Sequence, residues 1–298
     1  MTATDAAAAT VPCPLCGDPG QRRTRYALSA FDVVECPRCG GLQRDPLPGP
    51  AEMAGYYSDP RYIDGSYFDV DDGGVEARIF SETLGALATR RTSLQLAPTG
   101  RLLDVGAGSG AFLRMAMHRS WDAQGVELSP ELAARAAATS AAVVVCGDFE
   151  TAALPSSSYD AITMWDVLEH TIDPGRVLDR ARALLADRGV LVVLTIDAAS
   201  LFNVVADLAW RASAHLVKSP LELLYDKRHN HYFTGASLSV LLGRHGFRVE
   251  QSRSHRAHLG RWLSEPAPAA VVAGGAILDA LSVPLRRCYR QLLFCVGA

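Results

Sequence analysis

Between Arg101 and Ile196 the sequence alternates short apolar runs with segments whose apolar residues recur at helical spacing. The apolar runs are RLLDVGAG, DAQGVEL, AAVVVCGDF, YDAITMWDVL and GVLVVLTI, and the segments between them are AFLRMAMHRS, PELAARAAATS and DPGRVLDRARALLAD. Alternation of this kind predicts βαβ units and a parallel, doubly wound α/β sheet. Two later runs, GFRVEQS and RQLLFCV, predict a sixth and a seventh strand, with an apolar helix over 267–287 between them. Such sheets bind ligands at the carboxyl ends of their strands.

A glycine-rich turn follows the first of these strands and precedes a helix. It reads Asp104-Val-Gly106-Ala-Gly108-Ser-Gly110. Its glycines let the backbone approach a ligand closely, next to the free N–H groups of a helix start. No Gly-Lys-Ser or Gly-Lys-Thr follows, which excludes a P-loop. Together with Ala111 and Glu127 the turn also satisfies a loose dinucleotide fingerprint, so an NAD-linked oxidoreductase is one candidate.

Three further features favour a ligand that carries an adenine and an amino group. Asp104 stands two residues before the first glycine, where its carboxylate could pair with an amino group. Asp148 and Phe149 end the third strand and offer an acceptor and an aromatic ring for an adenine. The fourth strand ends in MWDVLEH, and Asp173-Pro174 then opens a helix.

Two CxxC pairs near the N-terminus predict a metal site. Nineteen residues separate the first pair, Cys13 and Cys16, from the second, Cys36 and Cys39. Four thiolates at this spacing are typical of a closed, structural zinc site. The runs RTRYAL and FDVVE between the pairs predict a hairpin, and hence a zinc ribbon. A segment this small cannot bury a sufficient core, so we expect zinc to supply its folding free energy.

The charge balance argues against a nucleic-acid partner. The 298 residues carry a formal net charge of −3, whereas sequence-independent binding to nucleic acid needs a basic face. Acidic residues of the ribbon nearly cancel its arginines. The start, MTATDAAAAT, lacks the features of a signal peptide, and no run is long enough to span a bilayer. We therefore expect a cytoplasmic protein without a membrane span.

The motifs LDVGAGSG, GVELS, GDFE and WDVLEH, together with the two cysteine pairs, resemble a class I S-adenosylmethionine-dependent methyltransferase. They are similar in particular to the subgroup that carries an N-terminal zinc ribbon. The segments DPLPGPAEMAGYYSDPRY and HNHYFTGASLSVLLGRHGF also resemble that subgroup. The resemblance covers most of residues 13–250, and its motifs are specific for fold and cofactor but not for substrate. It implies a Rossmann-like, doubly wound, seven-stranded methyltransferase sheet, with S-adenosyl-L-methionine as cofactor and a structural Zn2+.

The resemblance also implies which residues bind the cofactor. They are Asp104, Gly106, Gly108 and Gly110 for the methionine moiety, Glu127 for the ribose hydroxyls, Leu128, Asp148 and Phe149 for the adenine, and Trp165 and Asp166 after the fourth strand. Phe149 and Trp165 could equally be core residues, because aromatic side chains at strand ends commonly pack.

The candidate catalytic residues are histidines. Methyl transfer from a sulfonium is an in-line displacement, so positioning contributes much of the catalysis. An oxygen or carbon acceptor also needs a base, and histidine titrates near neutral pH. We expect His170 and His229 to act as base and substrate orienter, with His231 as a third candidate, since KRHNHYFT resembles a segment that closes over the acceptor site in related enzymes. His170 could instead cap a helix, and the other two could lie in a solvated turn.

On this interpretation the chain has four parts. They are a disordered tail at 1–10, the zinc ribbon at 11–45, a linker with N-terminal helices at 46–98, and the methyltransferase domain at 99–298 with an insertion at 199–232.

Two apolar segments have open roles. The insertion carries Phe202, Val205, Leu208, Ala209 and Ala212 at helical spacing. This spacing predicts an amphipathic helix that is a lid or acceptor-pocket wall, or else packs on the sheet edge or in a dimer contact. The tyrosines of the linker, Tyr56, Tyr57 and Tyr62, could line the cofactor cleft or pack between ribbon and core.

The leading hypothesis is methyl transfer from S-adenosylmethionine to O, C or N of a small-molecule acceptor, sugar-like or a secondary metabolite. One alternative is an RNA-modifying methyltransferase whose ribbon binds nucleic acid. Another is a non-catalytic cofactor-binding scaffold whose ribbon and C-terminal helix serve an assembly. A homo-oligomer is compatible with each of them.

Overall fold

The N-terminal part of the chain forms a small antiparallel sheet. The structure, a computed structural model, describes residues 12–59, 74–256 and 269–298. Strands β1 (Arg23–Ala27) and β2 (Asp32–Glu35) form a hairpin, and β3 (Leu42–Asp45) pairs with the other side of β2. This confirms the hairpin that RTRYAL and FDVVE predict. Two helices, α1 (Pro50–Ser58) and α2 (Val75–Ser93), lead to the larger part of the chain.

The larger part alternates strands and helices. In chain order they are β4 (Arg101–Val105), α3 (Ala111–His118), β5 (Asp122–Glu127), α4 (Pro130–Ser140), β6 (Val143–Cys146), β7 (Tyr159–Trp165), a 3-10 helix (Leu168–His170), α5 (Pro174–Leu184), β8 (Leu185–Ile196), α6 (Leu201–Ala212), α7 (Ser219–Leu224), β9 (His231–Tyr232), α8 (Gly235–Arg244), β10 (Phe247–His255), α9 (Ala269–Ser282) and β11 (Arg290–Gly297).

The central sheet has the strand order β10-β11-β8-β7-β4-β5-β6. The strands from β8 to β6 run parallel to their neighbours, whereas β11 lies antiparallel between β8 and β10. This confirms the Rossmann-like, doubly wound, seven-stranded sheet. Asp104 is in register with Gly125 on one side and Thr163 on the other. The carboxyl ends of β4, β5 and β7 therefore meet at one edge of the sheet.

Both faces of the sheet are buried because its strands are apolar on both sides. Leu102 packs with α2 and α3 on one face, and the next residue, Leu103, packs with α5 and α8 on the other, as the alternation of side chains along a strand requires. Helices α4 and α5 begin at residues whose side chains cap them. Ser129 accepts the N–H of Leu132 at the start of α4, and Asp173 accepts two N–H groups at the start of α5. Asp173-Pro174 thus opens a helix, as predicted.

The ribbon is joined to the late part of the chain. Strand β3 pairs with β9, and the N–H of Arg44 donates to the carbonyl of Asn230 at 3.0 Å. Cys13 and Leu15 lie in the same apolar cluster as Leu238 of α8. The segment that ends the predicted insertion at 199–232 is therefore a strand of the ribbon sheet.

The insertion contains the predicted helix, α6, but its buried face differs from the prediction. Phe202, Asn203 and Ala206 are buried, whereas Val205 is 37% and Leu208 is 59% exposed. The predicted apolar face of Phe202, Val205, Leu208, Ala209 and Ala212 is therefore wrong. The helix packs into a cluster that contains Tyr26, Tyr225 and Tyr289, and the small side chain of Ala206 permits close packing against these bulky rings.

Some predictions concern residues that the structure does not describe. The tail at 1–10 and Tyr62 lie outside the described residues, and so does the side chain of Tyr57. In the described parts of the chain, no helix combines the length and apolar character needed to cross a membrane.

Candidate active site

The glycine turn after β4 has a backbone that other residues rarely adopt. Gly106, Gly108 and Gly110 have φ values of +68°, +54° and +84°. A Cβ at Gly106 would lie 2.7 Å from Cγ2 of Val167, and one at Gly110 would lie 2.7 Å from the backbone of Ala136. The turn therefore requires glycine both for its conformation and for its close contacts.

Glu127, at the end of β5, is held by the backbone of this turn. Its Oε2 accepts the N–H of Gly108 and its Oε1 accepts the N–H of Ser129, each at 2.9 Å. Burial raises the pKa of this carboxyl, and the N–H groups around it act in the opposite direction. The carboxylate is thus oriented before any ligand binds, and its remaining lone pairs can accept hydroxyl protons.

Asp104, at the end of β4, is a buried carboxyl with few partners. Thr163 donates its hydroxyl to Oδ1 of Asp104 at 2.6 Å. Burial raises the pKa of Asp104 to about 7, the Thr163 hydroxyl lowers it, and the nearby charge of Glu127 raises it further. A cationic group that reached this carboxyl would stabilise its ionised form.

The neighbouring strand ends differ in exposure. Leu128 is 46% exposed, an apolar surface at the carboxyl end of β5. Asp148 is also exposed, and its Oδ1 accepts the N–H of Glu150 at 2.9 Å. Phe149, by contrast, is buried in the apolar core. Leu128 and Asp148 are accessible to a planar ring, whereas the side chain of Phe149 contributes mainly to packing.

Trp165 and Asp166, the two residues predicted to lie beside the cofactor after the fourth strand, contact other side chains of the protein. The Trp165 ring lies 4.7 Å from that of Phe80 and 4.8 Å from that of Phe112, measured between centroids. Asp166 accepts from Arg290 at 2.6 Å, and Arg290 also donates to Glu76 at 2.9 Å. Sequence reasoning missed Glu76 and Arg290, because these partners lie far from Asp166 in the chain and no local pattern marks them.

The structure brings His170 and His229 together. Their ring centroids are 4.6 Å apart, and Nδ1 of His170 lies 3.0 Å from the carbonyl oxygen of Arg228. Burial lowers the pKa of both imidazoles, that of His229 to about 3, with the neighbouring His170 as the second cause. Among the described residues, Nδ1 of His229 has no hydrogen-bond partner.

Glu169 completes this cluster, and sequence reasoning missed it although it lies within WDVLEH. The side chain is fully buried, and neither carboxylate oxygen has a hydrogen-bond partner in the described part of the chain. Burial raises the pKa of Glu169 to about 8 and the charge of Asp166 adds to this effect, while the nearby Thr195 hydroxyl and the charge of Arg290 act in the opposite direction. One ligand-type atom from each of Glu169, His170 and His229 lies within 4.8 Å of the other two.

Asn230, the residue after His229, forms hydrogen bonds to the backbone of Glu169 and His170. Its N–H donates to the carbonyl of Glu169 and its side-chain amide donates to the carbonyl of His170, each at 2.7 Å. His231 is the next residue but lies outside the cluster. It is fully buried in β9, its Nε2 is 3.4 Å from the carbonyl of Ile172, and burial lowers its pKa to about 4. This position suits a structural role for His231 in joining ribbon and core.

A cavity of about 500 Å³ lies beside the segment that precedes His229 in the chain. Residues from the hairpin turn, α1 and the segment before His229 line it, among them Leu28, Phe31, Tyr56, Tyr225, Asp226 and Arg228. Arg228 belongs to both places, because its carbonyl is the hydrogen-bond partner of His170. The hairpin turn of the ribbon thus forms part of the cavity wall.

The four predicted metal ligands lie together. The Sγ atoms of Cys13 and Cys39 are 3.9 Å apart, those of Cys16 and Cys36 are 3.6 Å apart, and all four cysteines are free of disulfides. Tetrahedral zinc with bonds of about 2.3 Å places its sulfurs roughly 3.8 Å apart. Gly17 and Gly40, at φ of +73° and +66°, close each knuckle. The cysteines therefore fit a closed Zn2+ site.

Comparison with known proteins places these features in a family. Residues 78–252, more than half of the chain, match the family model described as a methyltransferase domain. A ubiquinone biosynthesis O-methyltransferase of Xanthomonas axonopodis pv. citri (strain 306) is 31% identical over 112 residues, which are 35% of this chain and 47% of that protein. One from Xanthomonas campestris pv. campestris (strain B100) is 30% identical over 106 residues, 34% of this chain and 44% of that protein. The chain thus spans about half the length of these relatives.

Solved structures show the same fold. Phosphoethanolamine N-methyltransferase 2 of Haemonchus contortus, in complex with S-adenosyl-L-methionine, superposes with a TM-score of 0.56 at 14% identity, covering 93% of this chain and 71% of that one. The cyclopropane synthase MmaA2 of Mycobacterium tuberculosis gives a TM-score of 0.55 at 19% identity, with 85% of this chain and 100% of that one covered.

Proposed function

The chain belongs to the methyltransferase domain family, and on that premise we propose that it transfers a methyl group from S-adenosylmethionine to a hydroxyl oxygen of a small molecule. When bound, the cofactor supplies an electrophilic methyl group on a sulfonium. The other requirements fall on the chain. It must hold the cofactor by its amino and ribose groups, place the hydroxyl in line with the methyl carbon, and assist the loss of the hydroxyl proton.

The carboxyl ends of β4 and β5 fit the cofactor. The buried carboxyl of Asp104 suits a cationic amino group, and the oriented carboxylate of Glu127 suits a pair of ribose hydroxyls. The glycine turn between them excludes side chains, so its backbone can lie against the ligand. The exposed Leu128 offers an apolar surface to the adenine.

The cluster of Glu169, His170 and His229 is the observation that carries the acceptor assignment. It lies directly after β7, at the same edge of the sheet as Asp104 and Glu127. Nδ1 of His170 donates to a carbonyl oxygen, which can only accept, so Nε2 retains a lone pair. A lone pair on a positioned nitrogen can hold a hydroxyl acceptor, directly or through a bound cation, and so assist the loss of its proton.

Three observations support a small molecule as the acceptor. A cavity of about 500 Å³, within the usual size of small-molecule sites, is lined in part by Arg228, whose carbonyl contacts His170. The basic side chains of the ribbon are largely used within the fold, since Arg25 pairs with Glu35 and Asp207, and Arg38 pairs with Asp18. The ribbon therefore offers little basic surface to RNA. The relatives named above are O-methyltransferases.

Mass spectrometry with methyl-labelled S-adenosylmethionine tests this function. The acceptor panel contains catechols and other phenols, sugars, and primary amines as a comparison. We expect labelled O-methyl products, and at least about a hundredfold slower turnover for His170→Ala and for His229→Ala. His245→Ala is the matched control, because His245 bonds to Asp179 away from the cluster. Unchanged turnover in both cluster variants, or methylation of amines alone, would overturn the proposal.

A further inference from the structure

We propose that Glu169, His170 and His229 bind a divalent transition-metal ion that holds the acceptor oxygen. The site itself is inferred from geometry alone, whereas its role rests on the proposed function. One carboxylate and two imidazoles, with ligand-type atoms within 4.8 Å of one another, form the cluster. Ligand bonds of about 2.1 Å would draw these atoms closer, to roughly 3 to 3.5 Å apart, a change that side-chain rotations can accommodate.

Glu169 is the first argument for a cation. Its side chain is fully buried, yet both carboxylate oxygens lack a hydrogen-bond partner among the described residues. Buried carboxylates are normally paired, hydrogen-bonded or bound to a metal. The nearby cation, Arg290, already bonds to Glu76 and Asp166. A metal ion would satisfy the carboxylate of Glu169 at the position where the two histidines also point.

The histidines are arranged as metal ligands usually are. Nδ1 of His170 bonds to the carbonyl oxygen of Arg228 at 3.0 Å. Such a bond fixes the tautomer and ring orientation of metal-binding histidines and leaves Nε2 as the donor atom. His229 contributes a buried Nδ1 that has no partner in the described structure. The two bonds from Asn230 to the carbonyls of Glu169 and His170 hold both parts of the site in place.

The donor set indicates which ions fit. Two imidazoles and one carboxylate suit Zn2+, Mn2+ or Fe2+, and three protein ligands leave coordination positions open. The ribbon site differs, because four thiolates select zinc and leave none open. An open position at the cluster is where an acceptor oxygen would bind.

A bound cation would perform the activation that the proposed function requires. The acceptor hydroxyl binds the ion, and its O–H bond breaks, with the proton passing to solvent, because the ion lowers the hydroxyl pKa. The oxygen lone pair then forms the new O–C bond to the methyl carbon. The C–S bond breaks, and its electron pair remains on sulfur. The sum is one alcohol and one sulfonium giving one methyl ether, one thioether and one proton.

Manganese alone is the probe for the site. Titration of the full chain with Mn2+, followed by electron paramagnetic resonance of the free ion, measures binding without cofactor or acceptor. Thiolates are poor ligands for this hard ion, so the ribbon contributes little. We expect about one bound Mn2+ per chain, and at least about tenfold weaker binding for Glu169→Gln and for His229→Ala. His245→Ala is the control and should bind as the wild type does.

The melting temperature keeps the test decisive if a variant is destabilised. Glu169→Gln keeps the side-chain shape and replaces a buried carboxyl whose oxygens have no hydrogen-bond partner among the described residues, so the metal-free variant should melt no lower than the wild type. Mn2+ should raise the melting temperature of the wild type but not of this variant. The inference is overturned if the wild type binds no Mn2+ and no Zn2+ beyond the ribbon equivalent, or if Glu169→Gln binds Mn2+ unchanged.

Turnover separates this inference from the proposed function. Bound Mn2+ without methylation of any hydroxyl would leave the site standing and refute the function. The metal content of the protein shows whether this site is empty. If the protein with an empty site methylates hydroxyls as fast as the Mn2+-bound protein, the function is confirmed and the role of the metal is refuted.

Discussion

Asp104 should make the cofactor affinity depend on pH. Its carboxyl is buried, and burial raises its pKa to about 7. If Asp104 binds the cationic amino group of S-adenosylmethionine, as proposed above, its carboxylate will bind that group more tightly than the neutral acid does. The ionised fraction of the free protein falls as pH drops, so we expect Kd to rise about fivefold from pH 7 to pH 6 and about tenfold from pH 6 to pH 5.

Isothermal titration calorimetry checks this expectation. Measurements in two buffers of different ionisation enthalpy count the proton released on binding, which should approach one per chain near pH 5. Asp104→Asn should bind more weakly and lose the steep pH dependence. Asp122→Asn is the matched control, because the Asp122 side chain is 78% exposed and should keep the wild-type slope. A wild-type Kd that is constant between pH 5 and pH 7 would refute the reasoning.

The raised pKa of Asp104 should also make the free energy of unfolding of the unliganded protein depend on pH. The folded state holds the Asp104 proton more tightly than the unfolded chain, in which the carboxyl ionises near 3.8. The free energy of unfolding therefore falls as pH rises from about 4 to about 7, by on the order of a few kcal/mol, and levels off above. Asp104→Asn removes this loss, so at pH 8 the variant should melt no lower than the wild type in calorimetry. A clearly lower melting temperature for Asp104→Asn at pH 8 would contradict the raised pKa of Asp104.

Three further perturbations test the turn, a buried ion pair and the zinc site. Gly110→Ala places a Cβ against the backbone of α4 at a residue with positive φ, so it should lower the free energy of unfolding by at least about 1–3 kcal/mol in denaturant titration. Gly85→Ala is the control, because Gly85 lies in open space within α2, and it should raise the free energy of unfolding by about 0.5–1 kcal/mol. Arg290→Met removes the cation that pairs with the buried Glu76 and with Asp166, and it should cost about 3–5 kcal/mol. Arg248→Met at an exposed pair should cost less than about 1 kcal/mol, and equal costs would contradict the buried pairing. Chelation of zinc should unfold residues 11–45, which hydrogen exchange would detect as rapid exchange of their amides, while S-adenosylmethionine binding should survive at least partly. Complete loss of cofactor binding would show that the ribbon belongs to the cofactor site.

The cofactor half of the site was predictable because its residues are local to strand ends. The periodicity of 101–196 predicts the parallel strands, and the chain order of a doubly wound sheet brings their carboxyl ends together. Asp104, the glycines and Glu127 therefore lie where the sequence places them. Their individual roles toward the cofactor stay predictions.

The proposed acceptor site was only partly predictable. His170 and His229 were candidates by residue type, and the structure brings them together. His231 was the third candidate, and the pairing of β9 with β3 buries it between ribbon and core. Glu169 lies within WDVLEH, yet only its burial in the folded chain, with no hydrogen-bond partner for its carboxylate among the described residues, marks it as a candidate site residue.

The sequence by itself determined the sheet, the cofactor turn and the four-cysteine site, because each depends on residues that are close in the chain and whose spacing reflects backbone geometry. The tertiary structure alone decided which distant groups meet. Asn230 bonds to Glu169 and His170, and Arg44 of the ribbon bonds to Asn230. Contacts of this kind depend on how buried surfaces pack across a folded sheet. Hydrophobic periodicity along the chain predicts helices and strands but does not predict these contacts.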